Sequence, residues 1–269
     1  MILKAIHLSR TISHLNAYVD EIKNEWSKYH SETQELLVAR IDPRVFHAFS
    51  DSQIDIKLPG QINHELANTF RMEWSINGSD KSSRHAYEDF YSSLSWDKFK
   101  SKSLLEVGIG SNDHTIKSNM GLSGRPGASL FAWKNVFPAW KIIGADIDPK
   151  AVAASMADNR EVHSAILDQT CSNSWKSFIE EIGVSQFSII IDDGLHEAFA
   201  NISTLFESYY LLEEYGVLVV EDVPPDQFVF WQFLFDKGVL PAEPSFWKDV
   251  NPKKAKSFDS GIVYFVKKV

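Results

Sequence analysis

Ser103-Leu104-Leu105-Glu106-Val107-Gly108-Ile109-Gly110 reads as a short apolar strand that runs straight into a glycine turn. A run this short and apolar, bounded by turn residues, suits a strand buried on both faces. Four more such runs follow: Lys141 to Asp146, Glu161 to Leu167, Phe187 to Asp192 and Val217 to Glu221. Helical patterns separate them at about 128–137, 149–159, 174–182 and 197–215. Pro149 directly after Asp148 is a helix-start signal, with the acid as N-cap and proline in the first turn. Strand and helix in alternation predict an α/β chain with a mostly parallel sheet covered on both faces.

Outward from this core the pattern changes at both ends. Phe228 to Phe235 reads as an aromatic helix, and Gly261 to Val266 as a strong last strand. The region of Phe246 and Trp247 is expected to pair with that strand as an antiparallel C-terminal hairpin. Upstream, Leu15, Val19, Ile22 and Trp26 recur at helical spacing and predict an amphipathic helix. The division expected is a helical N-terminal segment, 1–77, for packing, oligomerisation or a lid, and a ligand-binding domain, 78–269. Apolar residues on that first helix make a homo-oligomer one of its possible uses.

The 269 residues carry 27 basic and 36 acidic side chains, a net charge of −9. That balance disfavours a long nucleic-acid footprint, which draws on clustered Lys and Arg. The basic cluster Lys253-Lys254-Ala255-Lys256 reads as a solvated loop between two strands. Cys171 stands alone, so no intrachain disulfide forms, and no window approaches the ~18 apolar residues of a membrane span. With no secretory signal at Met1 to His7, cytoplasmic residence is the expectation.

Ligands of open α/β sheets sit outside the carboxyl ends of the strands. Glu106, Gly108 and Gly110 close the first strand, and glycines let backbone amides approach a ligand. Asp146 closes the second, where a carboxylate accepts both hydroxyls of a ribose; the bland reading is a helix cap. Asp168 and Gln169 follow the third, where acid and amide can read an adenine edge, although Asp168 also suits a plain turn. Asp192 and Asp193 close the fourth.

Leu105-Glu106-Val107-Gly108-Ile109-Gly110 and Ile143-Gly144-Ala145-Asp146-Ile147-Asp148 resemble the first two motifs of class I S-adenosylmethionine-dependent methyltransferases. The resemblance implies a Rossmann-like sheet, Glu106 and the glycines around the methionine portion of the cofactor, Asp146 on the ribose and Asp168 near the adenine. Asp192 is grouped with these cofactor positions. A departure is the long Ser-, Asn- and Gly-rich stretch Ser111 to Gly127, expected to cover cofactor or substrate.

Ile191-Asp192-Asp193-Gly194-Leu195-His196 and Val220-Glu221-Asp222 follow apolar runs, so both are expected at the mouths of adjacent strands. Asp193, Glu221 and Asp222 would then crowd together, and three close carboxylates repel unless a cation neutralises them. Oxygen-only ligands suit Mg²⁺. The nine histidines include no zinc spacing. His196 is placed to take a proton, a role that suits an imidazole. The structural alternative makes the aspartates strand-end caps, Glu221-Asp222 a turn before Pro224-Pro225, and His196 part of a helix's first turn.

Asp-Asp-Gly-x-His followed by Glu-Asp after the next strand resembles the metal-dependent sugar O-methyltransferases of macrolide biosynthesis, in the cephalosporin-hydroxylase-like group. Position by position this implies Asp193, Glu221 and Asp222 as metal ligands and His196 as the base. Leu195 departs from the small polar residue expected between them. Gly78-Ser79-Asp80-Lys81-Ser82-Ser83-Arg84-His85-Ala86-Tyr87 resembles a segment that precedes the first motif in this group. There Lys81, His85 and Tyr87 are expected over the cofactor's carboxylate or sulfonium end, with a helix start at Ser82 or Ser83 as the other reading. The expected activity is Mg²⁺-dependent O-methylation of a sugar or glycosylated small molecule. A nicotinamide-dependent oxidoreductase is the alternative, but Asp113 stands where the third glycine of its fingerprint belongs. A methyltransferase-like binding protein without catalysis is another, opposed by the retained Asp193, His196, Glu221 and Asp222.

Overall fold

The computed structural model describes residues 54–157, 161–249, 257 and 259–268. The Leu15–Trp26 helix and the Lys253–Lys256 loop lie outside the described residues. Seven strands form one sheet: β1 Ser103–Val107, β2 Lys141–Asp146, β3 Val162–Ile166, β4 Phe187–Asp192, β5 Leu212–Val223, β6 Ser245–Lys248 and β7 Gly261–Val266. Their order is β3-β2-β1-β4-β5-β7-β6. The first five run parallel. β7 joins β5 antiparallel, and β6 joins β7 with Phe246 opposite Val263 and Trp247 opposite Ile262. The expected C-terminal hairpin is present. The sheet reverses direction between β1 and β4, so a crevice opens at the carboxyl ends of these strands.

Strand periodicity explains the two cores. Leu105, Ile143 and Ile190 face one side with Trp175, Leu205 and Phe228. Leu104, Ile142 and Ile189 face the other with Phe70, Trp74 and Trp133. Successive side chains point to opposite faces, and both faces are buried, so alternate apolar residues enter different cores, while the acids Glu106, Asp146 and Asp192 fall at or near the strand ends.

The helices are α1 His64–Asn77, α2 Glu88–Ser92, α3 Ala128–Val136, α4 Pro149–Ala157, α5 Ser172–Ile182, α6 Ala198–Ser208 and α7 Phe228–Asp236. Asn63 caps α1 by accepting from the Leu66 amide, and Gly78 ends it with φ +86°, a conformation that favours glycine. Asp148 accepts from the Lys150 amide, as its N-cap reading requires. One helix is shorter than its pattern suggests. The stretch 197–215 is α-helical only to Ser208 and ends in a 3-10 turn, Tyr209–Leu211, because Leu212 pairs with Phe187 and pulls the chain into the sheet. Glu213, which extends a helical pattern on paper, accepts from the backbone amides of Lys100 and Ser101. Ser82 and Ser83 begin no helix either; the chain turns through 81–84 and becomes helical at Glu88.

From residue 54 onward α1 shares the core of the sheet. Phe70 stacks on Trp74 at 5.1 Å and meets Trp133 of α3 edge-on at 5.3 Å. Tyr91 meets the same Trp133 ring at 4.9 Å. Phe70→Ala is therefore expected to lower the unfolding free energy by about 3–5 kcal/mol, within a single cooperative transition on urea titration. Separate loss of α1 with the sheet intact would show that the aromatic cluster does not couple them.

Candidate functional site

Two cavities open at the carboxyl ends of β1, β2, β3 and β4. The first, about 350 Å³, runs from Gly108 and Gly110 past Asp146 and Ile147 to Asp168 and Gln169. The second, about 440 Å³, lies between Gly78–Asp80, Ser118–Met120 and the side chains of Asp193, His196 and Asp222. Gly108, Gly110, Ser118 and Asp193 belong to both walls, so the two spaces meet at the first glycine turn.

Gly108 has φ +86°, and a Cβ there would stand 2.2 Å from the Asp193 carbonyl oxygen. Only glycine lets the β1 turn approach the β4 turn so closely. The Asp193 amide in return donates to the Val107 carbonyl at 2.8 Å. Asp146 braces the same turn: its two oxygens accept from the amides of Ile109 at 3.0 Å and Asp148 at 2.9 Å. Burial pushes its carboxyl above the usual aspartate range, against these amide bonds. Asp168 lines the far end of the cavity and accepts from the Thr170 amide and hydroxyl.

Gln169 also lines this wall, but its amide faces inward. It donates to Asp192 at 3.1 Å and to Thr204 at 3.1 Å, and accepts from the Leu195 amide at 2.9 Å. Asp192 is fully buried, does not line either cavity, and also accepts from the Gly194 amide. The structure places the Asp192 side chain, expected among the cofactor positions, under the β4 turn, where it holds Gln169 and Gly194. The long stretch 111–127 lines both cavities, with Thr115–Ser118 on the first and Ser118–Met120, Ser123 and Gly124 on the second. Lys117 on this stretch pairs with Glu197 on the other side of the cleft.

Glu106 is likewise buried and away from the cavity walls. It accepts from the Trp133 indole at 2.8 Å and lies 3.3 Å from the Lys81 ammonium. Lys81 and Tyr87, expected at the cofactor, are carried by the segment 81–87 beneath the acidic residues, and neither lines these two cavities. The Lys81 ammonium, with the side chain 2% exposed, donates to Asp193 at 2.8 Å and bonds to Glu221. Tyr87 donates its hydroxyl to Asp222 at 2.7 Å and accepts from the Asp222 amide at 3.0 Å. Tyr91, which the sequence reading did not select, donates to Glu221 at 2.5 Å. His85 Nδ1 stands 3.3 Å from Asp222 and 3.2 Å from the Ser260 hydroxyl. The signal that was available is the spacing Lys81-x-x-x-His85-x-Tyr87-x-x-x-Tyr91.

The electrostatics follow from burial. Desolvation alone would lower the Lys81 pKa, but Asp193, Glu106 and Glu221 outweigh it and hold the ammonium well above the ordinary lysine value. Burial pushes the carboxyls of Glu106, Asp193 and Glu221 up, against the pull of Lys81. Burial and Asp222 likewise raise the Tyr87 phenol. Asp80 is held down at about 2, chiefly by its hydrogen bond with His85.

At the open side of the group, Asp193, His196 and Asp222 each present a ligand atom, all within 4.8 Å of one another. His196 is exposed, and its Nδ1 lies 4.0 Å from Asp222. Both His196 and Asp222 have φ +56°, a left-handed conformation that side chains beyond glycine adopt at some strain. Two aspartates with an imidazole fit a divalent cation in charge and donor type. Glu221 stands apart from this group: one oxygen is held by Lys81, the other by Tyr91, and it lines neither cavity. Among the described residues, no helix is long and apolar enough to cross a membrane.

Burial raises the Asp192 pKa from 3.8 to about 6, with Thr204, Gln169 and Gly194 opposing the shift. The folded state therefore holds a proton that the unfolded state releases between pH 4 and 6, and stability from this residue falls as pH rises through that window. Asp192→Asn, which keeps an acceptor for Gln169, should gain thermal stability relative to the parent from pH 4 to pH 7. A Tm difference that stays flat across this range would place the Asp192 pKa elsewhere.

No protein-family model matches the chain. It is 29% identical over 165 residues, 60% of its length, to the 8-demethyl-8-alpha-L-rhamnosyl tetracenomycin-C 2'-O-methyltransferase of Streptomyces olivaceus. It is 33% identical over 120 residues, 44% of its length, to the L-olivosyl-oleandolide 3-O-methyltransferase of Streptomyces antibioticus. The matches span 39% and 27% of these relatives, well under half of either. Among solved structures, the MycE methyltransferase of the mycinamycin biosynthetic pathway, in complex with Mg and SAH, superposes with a TM-score of 0.55 at 19% identity. That superposition covers 74% of this chain and 54% of MycE. The MycE complex with Mg, SAH and mycinamycin VI gives 0.53 over the same share of this chain. The described chain thus has a Rossmann-like methyltransferase fold, and its similarity to these sugar O-methyltransferases agrees with the resemblance carried by its motifs.

Proposed function

We propose that the protein is an S-adenosylmethionine-dependent O-methyltransferase acting on a hydroxyl of a sugar or glycosylated small molecule. The observation that carries this reading is the junction at Gly108 and Asp193. There a nucleoside-sized cavity opens into one walled by two carboxylates and an imidazole. The relatives' names, and the ligands named with MycE, support the same reading.

In this assignment Gly108 and Gly110 leave room for the methionine portion, Asp146 receives the ribose hydroxyls, and Asp168 with the Gln169 wall faces the adenine. Asp193 and Asp222 would hold Mg²⁺, with His196 beside them. Bound there, the ion would lower the pKa of an acceptor hydroxyl. His196 acts as the general base: with Nδ1 toward Asp222, Nε2 takes the hydroxyl proton as oxygen bonds to the methyl carbon. The carbon–sulfur bond breaks in the same displacement, and S-adenosylhomocysteine and the methyl ether leave. The strained backbone at His196 sets the imidazole at the cavity mouth, and the 111–127 stretch shields the junction from water.

His196→Ala should lower methyl transfer to a deoxysugar-bearing acceptor by at least ~100-fold, the scale of general-base catalysis, while S-adenosylhomocysteine affinity stays within about threefold by calorimetry. Unchanged turnover removes His196 as the base. EDTA should abolish parent turnover and Mg²⁺ restore it; full activity under chelation rules out the metal assignment, and failure to bind S-adenosylhomocysteine rules out the cofactor.

A further inference from the structure

The acidic group contains more negative charge than a single divalent ion at its open side can neutralise. Glu106 ends β1, Asp193 follows β4, and Glu221 lies near the end of β5. The Lys81 ammonium reaches all three: 3.3 Å from Glu106, 2.8 Å from Asp193, and bonded to Glu221. Tyr91 takes the second oxygen of Glu221. Lys81, Glu106 and Glu221 are each 2% exposed or less, and none of them lines either of the two cavities. Three buried carboxylates without a counter-charge would be strongly unfavourable.

We infer that Lys81 is a built-in cation of the metal site: a positioning residue that fixes Asp193 and engages Glu221, leaving Asp193, His196 and Asp222 to face the divalent ion. Asp193 can serve both, because a carboxylate has two oxygens and about four acceptor sites. Glu221 is then an anchor for Lys81 rather than a ligand. A fixed positive charge beside a ligand carboxylate also opposes a second cation, so Lys81 weakens divalent binding while it holds the ligand in place. This inference rests on the cation reading of Asp193, His196 and Asp222.

Mn²⁺ titration of the full chain, followed by electron paramagnetic resonance and calorimetry without cofactor or acceptor, tests it. Asp222→Asn should weaken Mn²⁺ binding at least ~50-fold. Glu221→Gln, whose carbonyl oxygen still accepts from Lys81 while its NH2 can donate to the Tyr91 hydroxyl oxygen, should weaken it less than ~5-fold. Lys81→Met should tighten it at least ~10-fold, a direction that structural damage does not produce. Glu221→Gln as damaging as Asp222→Asn, or weaker binding in a folded Lys81→Met, overturns the inference and leaves the cation reading standing. If Lys81→Met does not fold, the Glu221→Gln arm decides alone. A parent that binds no Mn²⁺ removes the cation reading and this inference with it.

Discussion

Buried negative charge that must be balanced is the constraint around which this molecule is arranged. Parallel strands deliver their carboxyl ends to one edge of the sheet, and here those ends bring Glu106, Asp193, Glu221 and Asp222 to neighbouring positions. Such a group stays ionised in a dry interior only if positive charge and hydrogen-bond donors reach it. The chain meets that demand from outside the sheet: the segment 81–91 carries Lys81, His85, Tyr87 and Tyr91 to four carboxylates. Ala86 sits between two of these donors with φ +60°, the kind of local strain that persists when surrounding contacts outweigh it.

The aromatic layer behind the site follows from the same constraint. Trp133 bonds to Glu106 with its indole and packs its ring against Phe70, Trp74 and Tyr91. Tyr91 in turn bonds to Glu221. Packing of α1 and α3 is thereby linked to the carboxylates through two side chains that each have an apolar body and one polar atom. Damage to this layer should therefore reach the site even from residues that never face a cavity.

A division of labour along the cleft is the functional consequence. Asp146, Asp168 and the paired glycines shape the first cavity with backbone hydrogen bonds, while Asp193, His196 and Asp222 line the second, the side given to the acceptor in the proposed function. Asp192 and Gln169 hold the turn between them in register from below. The open face keeps the exposed imidazole, and the closed face keeps the buried ammonium. Charge needed for structure and charge available for chemistry are separated by the thickness of one carboxylate.

The strands, their mostly parallel direction and the terminal hairpin were legible in the sequence. Apolar runs such as Ser188–Ile191 bury both faces, and this leaves a signal that no neighbour can reverse. The acids at successive strand ends were legible for the same reason, since strand ends are read directly from the runs. Direction was not: Asp192 and Asp193 are adjacent, yet one turns under the sheet and the other toward the cavity, because successive strand residues point to opposite sides. Nor could spacing tell that Glu221 meets Lys81, 140 residues away, while Asp222 faces outward. Sequence by itself determined which chemistry-bearing residues reach the mouth of the sheet, through local periodicity. Only tertiary structure decided which of them face the cavity and which are held by Lys81, Tyr87 and Tyr91, because that choice depends on charge balance among segments far apart in the chain.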